Sequence, residues 1–223
     1  MKVTTDACLF GGWVAEEIQS GTAARKNILD IGTGSGLLAL MVAQKNPATK
    51  IDAIEIDDNA AGQAKENISL SPWNEKIHVI QGDVKSYPFA KQYDFIFSNP
   101  PFYENELKSD DERRNIAFHH EGLLLDELFS IIKKNLRPDG YFSLLLPYKR
   151  NDEMELLLKK HRLFLSKKIS VQQSPNHDYF RIIIKGGLEA PMSIITDEIS
   201  IKNENQHYTP EFTALLKDYY LFL

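Results

Sequence analysis

The chain has 223 residues, 43% of them hydrophobic and 26% charged, a composition that supports a packed core and excludes a disordered chain. Its longest apolar run, Leu37–Ala43, is far short of the ~20 residues of a membrane-spanning helix, and no basic segment precedes the apolar stretch near the N-terminus, as a secretory signal would require. The single cysteine, Cys8, excludes an internal disulfide and any paired-cysteine metal site, so a cytoplasmic protein is expected.

The elements alternate. Residues 1–26 read as a helical lead-in. Asn27–Ile31 predicts a strand and Leu37–Lys45 a helix. Lys50–Glu55 predicts a strand, Asn59–Ile68 a helix, and Ile77–Ile80 and Tyr93–Phe97 two more strands. Gly122–Leu136 carries an apolar stripe at helical spacing through Leu124, Leu125, Leu128, Ile131 and Ile132. Gly140–Leu146 predicts a buried strand and Asp152–His161 a helix. Phe164–Gln173 and Tyr179–Lys185 predict an antiparallel pair around the turn Ser174–Asp178. Residues 187–223 predict a terminal strand and helix, the latter opened by Thr209 as N-cap and Pro210 at its first position. The pattern predicts an α/β fold: one domain, residues 1–223, built on a doubly wound, mostly parallel, seven-stranded sheet with an antiparallel C-terminal hairpin.

The net charge is −5, yet residues 131–170 hold ten Lys and Arg against four acids. One basic zone on an acidic body is compatible with a phosphate-bearing partner, and equally with a solvated helix and hairpin.

The first strand runs into Asp30-Ile31-Gly32-Thr33-Gly34-Ser35-Gly36. Glycines let the backbone turn sharply and approach a ligand closely, and amides at the following helix start favour an anionic group. The spacing is G-x-G-x-G rather than the dinucleotide G-x-G-x-x-G. Asp30 would repel a pyrophosphate and attract an ammonium. No lysine follows as a phosphate-binding loop of the P-loop type requires. Glu55, at the end of the second strand, lies where a carboxylate can accept both hydroxyls of a ribose. Asp83, after the third, could accept from an adenine amino group.

The order Asp30, Gly32, Gly34, Gly36, Glu55, Asp83 along successive strand ends resembles class I S-adenosylmethionine-dependent methyltransferases. The resemblance implies S-adenosyl-L-methionine as cofactor, with Asp30 and the glycines at the methionine end, Glu55 at the ribose and Asp83 at the adenine.

The fourth strand leads into Ser98-Asn99-Pro100-Pro101-Phe102-Tyr103. Prolines stiffen the turn, so nearby carbonyls can point into a site. The Asn99 side-chain oxygen and the Pro100 backbone oxygen are two acceptors for the two hydrogens of an NH2 group, and Phe102 offers a flat face for a base or amide. Asn99, Pro100 and Phe102 are thus the expected catalytic residues. Such a turn is similar to those of methyltransferases acting on adenine N6 and on glutamine amides. The opening Met1-Lys2-Val3-Thr4-Thr5-Asp6, together with Ser98–Tyr103 and Arg114-Asn115-Ile116-Ala117-Phe118-His119, resembles the tRNA(Val) (adenine(37)-N6)-methyltransferase family. That resemblance implies a valine tRNA anticodon loop as partner, with Asn99 also beside the cofactor and substrate contacts at Pro101, Tyr103, Arg113 and Arg114. A protein glutamine-amide methyltransferase and a non-catalytic RNA-binding module on the same fold are the alternatives. His119-His120-Glu121 lacks metal-ligand spacing, so no metal is expected.

Overall fold

A computed structural model describes residues 3–20, 26–100 and 123–222. The first helix, α1 (Thr5–Gln19), buries Leu9, Phe10 and Val14. Gly11 and Gly12 allow its close packing. A Cβ on Gly11 would sit 2.5 Å from Met41 Sδ, and one on Gly12 would sit 2.6 Å from the Leu215 carbonyl oxygen. β1 (Asn27–Ile31), α2 (Leu37–Lys45), β2 (Lys50–Glu55), α3 (Asp58–Ser69), β3 (Ile77–Gln81) and β4 (Tyr93–Ser98) follow. Their short apolar runs are buried strands, as the β-branched composition predicts. α4 (Leu125–Asn135) begins after Leu124, whose backbone N–H donates to the Glu127 carboxylate at 2.9 Å. Lys133 and Lys134 in its last turn suit the helix dipole. β5 (Leu136–Pro147), a short 3-10 turn (Tyr148–Arg150), α5 (Asn151–His161), β6 (Phe164–Gln172), β7 (Tyr179–Gly187), β8 (Ile195–Ser200) and α6 (Pro210–Leu216) complete the order. Thr209 caps α6 as its sequence predicts, accepting from the Phe212 N–H at 3.3 Å.

The strand order is β3-β2-β1-β4-β5-β7-β6-β8. Only β7 runs against the rest, antiparallel to both β5 and β6. The sheet therefore has eight strands, not the seven expected: the terminal strand β8 joins it, parallel to β6. Its residues are mostly exposed, so the apolar run that marks a sheet strand is missing there.

Two cores cover the two faces. α1, α2 and α6 pack with Phe95, Phe97 and Ile183 on one side. α4 and α5 pack with Ile96, Phe142 and Ile182 on the other. Strand order reverses at β1, which pairs with β2 on one side and β4 on the other. In open α/β sheets ligands bind outside the carboxyl ends of the strands at such a switch point.

Candidate active site

The glycine loop is stitched to β2. The Gly32 and Thr33 N–H groups both donate to the Ile54 carbonyl, at 2.9 and 3.1 Å. Gly32, Gly34 and Gly36 have φ of 72°, 58° and 82°, a left-handed conformation that side chains with a Cβ rarely adopt. A Cβ on Gly32 would meet nothing within 4 Å, so this backbone faces open space, whereas one on Gly36 would meet Ile68 Cδ1 at 3.2 Å. Gly32 thus leaves room for a ligand, and Gly36 lets α2 start against α3.

Glu55 closes the loop from the side. Its Oε2 accepts from the Gly34 N–H at 2.9 Å and its Oε1 from the Asp57 N–H at 3.0 Å. Each oxygen keeps a second lone pair for a ligand hydroxyl. Asp83 is held by its own turn, its Oδ1 accepting from the Lys85 N–H at 2.9 Å. Ser98 Oγ donates to the Ile31 carbonyl at 2.7 Å, which locks the end of β4 to the end of β1 just before Asn99.

These parts surround one cavity of about 710 Å³ at the carboxyl edge, whose wall includes Gly32, Glu55, Asp83, Asn99 and Pro100. The volume lies within the range of small-molecule and cofactor sites. Asp30 is placed differently from the others. It is fully buried beneath the loop, where Thr33 Oγ1 donates to its Oδ2 at 2.6 Å while its Oδ1 has no partner. Burial pushes its pKa up to about 7, the Thr33 hydrogen bond opposes that rise, and the nearby Glu55 charge adds to it. Pro101, Phe102, Tyr103, Arg113 and Arg114, and the pair His119-His120, lie outside the described residues. Among the described residues no cluster of His, Cys, Asp or Glu could hold a metal ion, and no helix is long and apolar enough to cross a membrane.

Two further residues stand on the wall: Asp6, the last residue of the opening motif, to which the sequence assigns no role, and Arg181, which no motif marks. Arg181, from β7, donates through Nε to Asp6 Oδ2 of α1 at 2.8 Å, and both line the cavity. Burial pushes the Asp6 carboxyl up, but the hydrogen bond with Thr4 and the Arg181 guanidinium outweigh it and hold the group below its usual value. The basic zone of residues 131–170 is largely engaged within the fold: Lys167 pairs with Glu17 at 3.1 Å, Lys160 with Asp126 at 2.7 Å and Arg137 with Asp94 at 3.1 Å.

The chain is similar to known methyltransferases. Residues 14–161 match the methyltransferase small domain. A tRNA1(Val) (adenine(37)-N6)-methyltransferase of Yersinia enterocolitica is 36% identical over 99% of this chain and 86% of its own length. A protein of the same name from Bacteroides thetaiotaomicron is 34% identical over 100% of this chain and 92% of its own. The chain belongs to the tRNA1(Val) (adenine(37)-N6)-methyltransferase family. Its fold is shared more widely than its sequence. A solved structure from Agrobacterium tumefaciens, described as a predicted O-methyltransferase, superposes with a TM-score of 0.72 at 18% identity, covering 95% of each chain. The match to the small domain ends at α5, so β6, β7, β8 and α6, which complete the sheet and supply Arg181, lie beyond it.

Proposed function

We propose that the chain transfers a methyl group from S-adenosyl-L-methionine to N6 of adenine 37 of a valine tRNA, in the cytoplasm. The observation that carries this reading is the meeting of two halves on one wall. Asn99 and Pro100, acceptors suited to an amino group, line the same cavity as Gly32, Glu55 and Asp83. The residues fit the cofactor. Gly32 presents bare backbone to open space, Glu55 keeps lone pairs at the rim, and the orphaned Asp30 Oδ1 supplies negative potential under the loop.

Bound S-adenosyl-L-methionine supplies a methyl group on a positively charged sulphur, an already activated donor. The Asn99 side-chain oxygen and the Pro100 carbonyl accept the two N–H bonds of the target amine, which orients its lone pair toward the donor. As positive charge builds on that nitrogen, both hydrogen bonds strengthen. No strong base is required before attack: the nitrogen–methyl bond forms as the methyl–sulphur bond breaks and leaves a neutral thioether, and one of the two N–H protons leaves the methylated nitrogen afterwards, to water. A glutamine amide presents the same NH2 group, but the relatives named for adenine N6 favour the nucleobase. An anticodon-loop adenine is unpaired, so it can be splayed into a cavity at low cost.

Total tRNA incubated with the protein and methyl-labelled cofactor, then digested to nucleosides, should yield labelled N6-methyladenosine. Label appearing in protein glutamine instead, or in no product, overturns the reading. Glu55 gives a second test. Glu55→Ala should weaken binding of S-adenosyl-L-methionine by ~1.5–3 kcal/mol, the usual worth of a charged hydrogen bond, or ~10–150-fold in Kd by calorimetry. An unchanged Kd rejects its role at the ribose.

A further inference from the structure

The carboxyl edge does not stop at the cavity. Beyond β4 it continues through the end of β5, the start of β7 and the end of β6. Pro147, the last residue of β5, lies on the cavity wall, and its register partner on β7, Arg181, lies there too. The next residue outward from Pro147 is Tyr148, and the first residue of β7 is Tyr179. Their rings pack against each other at a tilt, with centroids 5.2 Å apart and planes 36° from parallel.

This pair is built, not incidental. Between the pairs Val171–Arg181 and Gln172–Tyr179 the register skips one β7 residue, Phe180. Such a bulge re-aims side chains, and bulges are over-represented beside active sites. The Tyr179 hydroxyl donates to Glu198 of β8, which fixes its ring. The eighth strand thus braces an aromatic surface next to the cavity. Tyr148 is 38% exposed although it is a large aromatic packed on another ring. Water-facing rings held in place by other groups are what a nucleobase needs: stacking is tolerant of base identity and costs little side-chain entropy when the rings are already ordered.

Resting on the tRNA reading above, we propose that Tyr148, backed by Tyr179, is the stacking platform for a nucleotide flanking the target adenine. A base splayed into the cavity leaves its neighbour at the rim, unstacked from its own partner. The rim beside Pro147 and Arg181 offers that neighbour an aromatic face. The Tyr179 hydroxyl is committed to Glu198, so what this pair offers a base is the face of the Tyr148 ring.

The test uses the full chain, S-adenosyl-L-methionine and a synthetic anticodon stem-loop RNA. Tyr148→Ala should raise KM for the RNA about tenfold (~1.4 kcal/mol), with kcat within about twofold of wild type and cofactor Kd unchanged. Tyr148→Phe should restore wild-type KM, because the ring and not the hydroxyl does the stacking. A second readout places 2-aminopurine beside the target adenine. Its fluorescence should be quenched on binding to wild type and to Tyr148→Phe, and less so on binding to Tyr148→Ala. An unchanged KM and unchanged quenching in Tyr148→Ala overturn the platform. If wild type itself leaves the RNA unmethylated, it is the tRNA reading that fails.

Discussion

Asn99→Ala is expected to lower kcat by ~10²–10³, about 2.7–4 kcal/mol, while cofactor affinity stays within about twofold of wild type. The magnitude is that of removing one preorganised dipole aimed at developing charge. Here the sign is reversed relative to an oxyanion site: the charge developing on the amine is positive, and the groups that meet it are oxygen acceptors. The preorganisation has a visible source. Ser98 Oγ ties the end of β4 to Ile31, and the buried Pro100 stiffens the chain on the far side, so Asn99 is held from both directions. Asn99→Asp separates acceptor strength from shape. It keeps an oxygen in the same place and adds negative charge, so it should retain far more activity than the alanine variant. Single-turnover methylation of the stem-loop RNA measures the chemical step directly. A wild-type rate in Asn99→Ala removes Asn99 from the mechanism.

Much of the donor half was legible because it depends on local patterns. Leu37–Lys45 and Lys50–Glu55 form the elements their periodicity predicts, residue for residue. Glycines at 32, 34 and 36 adopt the left-handed backbone for which glycine is suited. What could not be read is what distant chain segments do to one another. Arg181 and Asp6 are 175 residues apart, and only the packing of α1 beside β7 brings them to one wall. Tyr148 and Tyr179 meet for the same reason, through β5–β7 pairing. The terminal strand expected within 187–223 was not counted into the sheet because four of the six residues of β8 are exposed and two of those are acids, so no apolar run marks it as a sheet member. The excess of basic residues at 131–170 is compatible both with a phosphate-bearing partner and with a solvated surface, and charge counts are blind to partners: Glu17 engages Lys167 from a helix 150 residues earlier, and Asp126 engages Lys160. Asp30 was legible as an acid before a glycine loop. Its complete burial was not, because burial is set by Thr33 and by the strands on both sides of β1.

That burial sets up the other large effect. Asp30→Asn is expected to stabilise the ligand-free protein at pH 8 by ~1–4 kcal/mol, with the gain shrinking as pH falls toward 5. In the unfolded chain this carboxyl titrates near 3.8, and in the fold burial raises it to about 7. A raised folded-state value means that the native protein holds the proton more tightly than the unfolded chain does. The stability contributed by the protonated acid is therefore complete below the unfolded value and is lost as pH rises through about 7. Above that, an ionised carboxylate with one unpartnered oxygen sits in the interior, and the shift of roughly three units sets ~4 kcal/mol as the upper bound of the cost. Asparagine keeps the shape, does not titrate, and can still bond Thr33. The same substitution should weaken cofactor binding at pH 8, because the negative charge beneath the loop is what favours a cationic ligand. Wild-type affinity should rise between pH 6 and 8 as Asp30 ionises, while that of Asp30→Asn stays flat. Denaturant unfolding at pH 5 and 8, with calorimetry across the same range, reads both trends. A stability difference between wild type and Asp30→Asn that does not change with pH would show that Asp30 carries no strained charge, and with it would go the account of why this site prefers a positive ligand.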